Sequence, residues 1–168
     1  TDLPRLFASW GVLYDRNTVG MDGETGLPVQ IVEAGRTRMR AYPLWFSVPP
    51  AGLNPSLPGL AGLSRSVNLG SPGVLGFEPE TGLNATTLLF TSAQGARLDV
   101  DIAASSPSPE ELMRGFEPAP DAPLTLGLLI DGRFRTAFPD GPPVDDGAPI
   151  RTEHLDESTG PGEVIVLA

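Results

Sequence analysis

The stretch Leu124–Pro143, LTLGLLIDGRFRTAFPDGPP, constrains the fold more than any other part of this chain. Leu124 to Ile130 is an apolar run without a charge, which reads as a buried strand. Asp131-Gly132 is a dipeptide favoured in tight two-residue turns, and Arg133 to Phe138 alternates polar with apolar residues. Two readings stay open: a hairpin that turns at Asp131-Gly132 into a half-exposed strand, or one continuous strand kinked at Gly132. In either, Phe134, Thr136 and Phe138 face a core while Arg133 and Arg135 face solvent.

Around this segment the chain is heavily punctuated. Its 20 Gly and 19 Pro are nearly twice the usual share and are dispersed without a period, so many turns and short elements are expected. At 168 residues one core is the default. The net charge of -10 opposes non-specific binding to nucleic acid or to an anionic membrane face. All 11 basic residues are Arg, so a catalytic lysine is excluded, and the absence of Cys excludes disulfides and thiolate chemistry. No signal peptide or run of eighteen apolar residues is present, and the chain opens on Thr1, as an excised fragment would.

Leu3, Leu6, Phe7 and Trp10 fall at helical spacing, with Asp2 as cap, Pro4 in the first turn and Gly11 at the stop. Val12–Tyr14 and Thr18–Met21 read as short extended pieces, Asp22–Gly26 as a turn, and Val29–Val32 as a strand. Arg36, Arg38 and Arg40 alternate with uncharged residues, placing three guanidinium groups on one strand face. That face reads as solvated, with an anion site as the rival. Pro43 is expected to end the strand before Leu44–Val48 resumes, and Pro49–Leu63 to form a loop with one helical turn. Val67–Phe77 reads as short pieces, and Ala85–Thr91, Leu98–Ile102 and Val164–Leu167 as strands. Ser108, Pro109 and Glu111 spell a capping box for a helix stopping at Gly115. ETGL at Glu24–Leu27 and again at Glu80–Leu83 reads as two recurrent turns.

Residue chemistry offers several sites, each with a plainer reading. His154 is the one histidine a Ser-His-Asp arrangement would need, but no G-x-S-x-G elbow accompanies it, so it reads as a loop residue. Asp99, Asp101, Glu110 and Glu111 are the carboxylates for an acid-base pair, yet two of them read as helix-start residues. Asp140, Asp145 and Asp146 form a hard-oxygen cluster without the EF-hand pattern, which reads as an acidic loop. No phosphate-binding glycine motif occurs. Tyr42 and Trp45 read as core-completing aromatics, with a sugar-stacking or partner-anchoring role as the rival. The residues alone therefore name no catalytic group, metal or cofactor. They predict a strand-rich α/β chain with a mixed sheet and few short helices.

Three segments together carry more. DLPRLFASWGV at 2–12, YPLWF with the NPSLPGLAGL loop within 42–63, and TTLLFTS with LGLLIDGRFRTAFPDGPP resemble the extracytoplasmic domain of auxiliary ABC-transporter proteins, a family that includes gliding-motility components of Bacteroidetes. Its pattern is a leucine-rich helix ending in W/Y-G, a YP-x-W segment, an N-x-P-x-x-x-G-L loop, an LL-x-TS strand and a G-x-F-x-S-x-F element. Here Leu44 separates Pro43 from Trp45 and Thr136 stands for the family's Ser. The resemblance implies a partial flavodoxin-like or glutamine-amidotransferase-like sandwich without a known active site. It also implies a non-catalytic accessory role outside the cytoplasmic membrane, beside an ABC permease and its ATPase, in a parent protein anchored by segments absent here. No catalytic residue transfers from it. The ligand-binding alternative, a glycan or peptide module, would use Tyr42, Trp45, Arg133 and Arg135; a carboxylate-dependent hydrolase is the third reading.

Overall fold

The structure is a computed structural model that describes residues 3–33, 35–78, 81–139, 141 and 154–168. It is strand-rich α/β, with ten short-to-medium strands and four short helices among the described residues. Helix α1, Pro4–Trp10, is followed by β1, Val12–Tyr14, β2, Thr18–Asp22, β3, Gly26–Glu33, and β4, Arg36–Val48. Next come α2, Pro58–Ala61, β5, Val67–Gly70, β6, Leu75–Phe77, β7, Asn84–Phe90, and β8, Gly95–Asp99. The helices α3, Val100–Ala104, and α4, Pro109–Met113, lead into β9, Thr125–Gly132, and β10, Gly162–Leu167. The strands form four small sheets, ordered β10-β9-β7, β3-β4-β5, β2-β8 and β1-β6, and every pairing given is antiparallel.

Two strands tie three apolar clusters together. β9 sends Leu128 and Ile130 into the first cluster, with Val12, Leu75, Leu83 and Val166, and Leu126 into the second. β4 sends Phe46 and Val48 into that second cluster, beside Leu53, Leu88 and Leu89, and Leu44 into the third with Val19, Met21, Ala96 and Leu112. The charge-free run of the sequence is therefore the central strand of its sheet, as its hydrophobicity required.

Helix α1 forms where the spacing places it, and Gly11 closes it at φ 70°, a left-handed conformation that favours glycine. Leu3 holds the N-cap position without a side-chain bond, and the expected cap Asp2 lies outside the described residues. The Ser108 box forms in full: Glu111 N–H donates to Ser108 Oγ at 3.3 Å, and Ser108 N–H donates to Glu111 Oε2 at 2.8 Å. The short strands expected at Val12, Thr18, Ala85 and Val164 also appear, within a residue or two.

Three expectations need correction. Pro43 does not end a strand, because β4 runs through it with a register shift in the pairing with β3, from Leu27↔Tyr42 to Gly26↔Phe46. A residue lacking an N–H is tolerated there, since the bulge asks no ladder bond of it. No strand covers Leu98–Ile102: β8 ends at Asp99, whose side chain accepts from Asp101 N–H at 2.8 Å and caps α3. A capping carboxylate outweighs a two-residue alternation that helix and strand can share. Finally, of the two readings open at Asp131-Gly132 the hairpin does not form, and the strand runs on to a bend at Gly132. Both residues are paired inside the sheet, Asp131 with Glu163 and Asn84 and Gly132 with Gly162. Gly132, at φ 133°, then bends the chain out, and of the expected second strand only an Arg135↔Glu157 bridge remains.

A buried carboxylate locks the sheets to one another. Asp22, 1% exposed, accepts from Glu24 N–H at 2.9 Å, Thr25 N–H at 3.0 Å, Ser92 Oγ at 2.8 Å and Ser92 N–H at 2.7 Å. Beside it, buried Thr91 Oγ1 accepts from Leu124 N–H at 2.8 Å and donates to Ser92 O at 2.9 Å. Asp22→Ala strands several donors in the interior, so chemical denaturation should show a loss of about 3 kcal/mol. Thr91→Val keeps the shape but orphans the Leu124 N–H, for a loss of about 1–3 kcal/mol by the same measurement.

Candidate functional site

The four residues singled out as possible contacts fall into two pairs. Tyr42 and Trp45 stand on β4, their rings edge to face with centroids 5.3 Å apart. Tyr42 is half-buried against the third cluster, and desolvation raises its hydroxyl pKa. Trp45 is 51% exposed, so the core-completing reading holds for the tyrosine and not for the tryptophan. Pairing of Trp45 with Gly70 explains this, because a glycine in β5 leaves the indole no cross-strand side chain to be covered by.

Arg133 and Arg135 are exposed and lie just beyond β9. Phe134 between them turns inward onto Trp10, with centroids 5.0 Å apart, and Trp10 Nε1–H donates to Arg135 O at 3.1 Å. Arg135 meets Glu157 at 4.0 Å. No ion pair or ring contact among the described residues joins this pair to Tyr42 and Trp45.

The arginine ladder of β4 instead lies next to the aromatic pair. Arg36, Arg38, Arg40 and Tyr42 share one face of the strand by alternation. Arg38 Nε and Arg40 Nη2 converge on a single oxygen, Glu33 Oε2, at 3.4 and 3.3 Å, and Arg40 also faces Glu110 of α4 at 3.7 Å. Arg36 has no ion-pair partner among the described residues. The opposite face of the β3–β4 arm, formed by Pro28, Gln30, Val32, Thr37, Met39 and Ala41, is exposed and uncharged.

The carboxylates weighed for acid-base work are engaged in local structure. Asp99 caps α3, Glu111 completes the α4 box and Glu110 meets Arg40. His154 sits 3.7 Å from Asp156, in a loop as expected, and its buried Nε2 has no hydrogen-bond partner. Asp140, Asp145 and Asp146 lie outside the described residues. Among the described residues no group of three or more His, Asp or Glu is placed to hold a metal ion.

An Arg97–Asp121 pair was not legible in the sequence, since its partners belong to different elements. It is bidentate, with Nη1 to Oδ1 at 2.6 Å and Nη2 to Oδ2 at 2.7 Å. Arg97 lines two open clefts of about 320 and 360 Å³, one beside Tyr14 and Thr18 and the other beside Ile102 and Phe116. The hydrogen bonds from Arg97 hold the Asp121 carboxyl below its ordinary value. Bonds from Thr18 do the same for Asp15, and from the Ser108 backbone for Glu111.

A family model described as an ABC-type uncharacterized transport system matches residues 1–168. The chain belongs to that family. It is thus an auxiliary component of an ABC-type transport system, in agreement with the resemblance in its sequence. No curated protein and no solved structure matches the chain. The segments that carry the resemblance in the sequence act here as scaffold. In LLFTS, Thr91 and Ser92 hold Leu124 and Asp22. In the NPSLPGLAGL loop, Asn54 Nδ2–H donates to Thr87 O at 2.8 Å, and Asn54 N–H to Leu88 O at 2.9 Å. In YPLWF, Pro43, Leu44 and Phe46 are buried, leaving Trp45 as the one outward member.

Asp15, Glu111 and Asp121 are more acidic folded than unfolded, so their stabilisation is present above the unfolded carboxylate range and is lost as pH falls through the lowered values. The thermal unfolding midpoint should therefore fall as pH drops below about 4, the ordinary carboxylate range. The difference between wild type and Asp121→Asn, under about 1 kcal/mol for so exposed a pair, should vanish over the same window.

Proposed function

We propose that the chain is a non-catalytic, extracytoplasmic interaction domain of an ABC-type transport system. In this reading it is one domain of a larger protein anchored to the inner membrane by segments other than those present here, and it contacts the permease and ATPase subunits of the same system. The observation that carries the reading is the match of the transport-family model to the whole chain, 1–168. Two placements support it: the residues that carry the resemblance serve as core and as hydrogen-bonded supports, and the carboxylates weighed for catalysis cap helices or pair with arginine. No helix among the described residues is long and apolar enough to cross a membrane, so contact with the bilayer would come through other parts of the parent.

The test uses the absence of cysteine. Ser64→Cys, at an exposed position in a chain with no other thiol, should make the full-length protein react with a membrane-impermeant maleimide in intact cells beyond the level of the unsubstituted full-length protein. Mild-detergent extraction should then recover the permease and ATPase with the tagged protein. Labelling only after lysis would overturn the location, and recovery of neither subunit would overturn the accessory role.

A further inference from the structure

We propose that the arginine face of the β3–β4 arm, ending at Trp45, is a docking surface for an extended acidic segment of a partner protein. This rests on the reading of the chain as an interaction domain. Three of the chain's 11 basic residues stand within five positions of β4, in a protein whose net charge is -10. The arm carries one acidic residue of its own among those described, Glu33, and that residue shows how the ladder takes a ligand. Its single Oε2 sits between two guanidinium groups, at 3.4 Å from Arg38 and 3.3 Å from Arg40. Each guanidinium has five N–H donors, so most remain uncommitted, and Arg36 has no ion-pair partner among the described residues.

Spacing favours a peptide over other anions. Alternate residues of a strand are about 7 Å apart, the same repeat as alternate side chains of any extended peptide. An acidic segment with carboxylates at every second position thus has the repeat of the ladder, meeting Arg36 directly and sharing Arg38 with Glu33, while Arg40 is already held by Glu33 and Glu110. At the inner end of this face Tyr42 holds Trp45 edge-on while half the indole stays in solvent, a rigid apolar contact next to the charges. An anionic bilayer is the less favoured occupant, because the chain as a whole would be repelled from it. The neutral reverse face, with Val32 at 78% exposure and Met39 at 54%, carries no charge to compete for the ligand.

The test is calorimetric titration of the chain with a peptide of about ten residues alternating Glu and Thr, matched to the strand repeat. Binding should weaken about tenfold between about 50 and about 300 mM salt. It should be abolished in Arg36→Glu/Arg38→Glu, be reduced in Trp45→Ala, and persist in Arg65→Glu, an exposed arginine outside the arm. The double variant should still melt in one cooperative transition, only slightly below wild type, since both side chains are exposed and what is lost is a surface ion pair with Glu33. No binding, equal binding of a Gln-for-Glu peptide, or binding unchanged by the double reversal would overturn the proposal. Arginine-dependent binding to phosphatidylglycerol vesicles without binding to the peptide would overturn it in favour of a lipid surface. Recovery of transporter subunits by the full-length protein separates the two ideas. Subunits lost in wild type while the peptide binds would sink the accessory role alone, whereas subunits recovered equally by wild type and double variant would sink this surface alone.

Discussion

The carboxylate of Asp22 is the interaction on which the arrangement of the sheets depends. It lies at the end of β2 and satisfies two N–H groups of its own turn and two donors of Ser92, which follows β7. Thr25, held by that turn, in turn accepts from Ser47 N–H of β4 at 3.0 Å. One side chain thus fixes three of the four sheets relative to one another. A buried carboxylate without partners would be strongly unfavourable, so the chain cannot place Asp22 in the interior without also placing Ser92 and the turn. This is why the polar centre specifies geometry that the three apolar clusters, tolerant of small shifts, leave open.

The apolar architecture has its own economy. Small clusters joined by β9 and β4 suit a chain broken so often by Gly and Pro that few elements grow long. The exception is β4, thirteen residues, whose inner half is core and whose outer half is an arm with both faces only partly covered. The change of environment happens at Pro43, where the bulge re-aims the strand. The arm therefore projects arginines outward from a strand whose other end is among the most buried in the molecule.

Much of the fold was readable where signals are local. The capping box at Ser108, the helix closed by Gly11 and the strands at Ala85 and Val164 depend on neighbours within a few residues, so pattern sufficed. Pro43 and Leu98–Ile102 depart from their expected elements, and the hairpin reading at Asp131-Gly132 gives way to its rival, for one reason: each local preference is decided by a partner far along the chain or by a cap competing with a ladder. The candidate site divides in the same way. The alternation of Arg36, Arg38 and Arg40 places them on one face, but the convergence of Arg38 and Arg40 on Glu33 follows from hairpin register, and the contact of Tyr42, on the same face, with Trp45 comes across the bulge.

By itself the sequence determined the strand-rich class, the charge-free central strand, the capped short helices and, through its signature segments, the transport family. These rest on composition, on periods of two and 3.6, and on short-range hydrogen bonds, all of which act along the chain. The tertiary structure alone decided what the signatures do. It made Thr91, Ser92 and Asn54 supports rather than ligands, buried Asp22, paired Arg97 with Asp121 across 24 positions, and left Trp45 outside. Burial and pairing between distant residues depend on which elements pack together, and no local pattern encodes that.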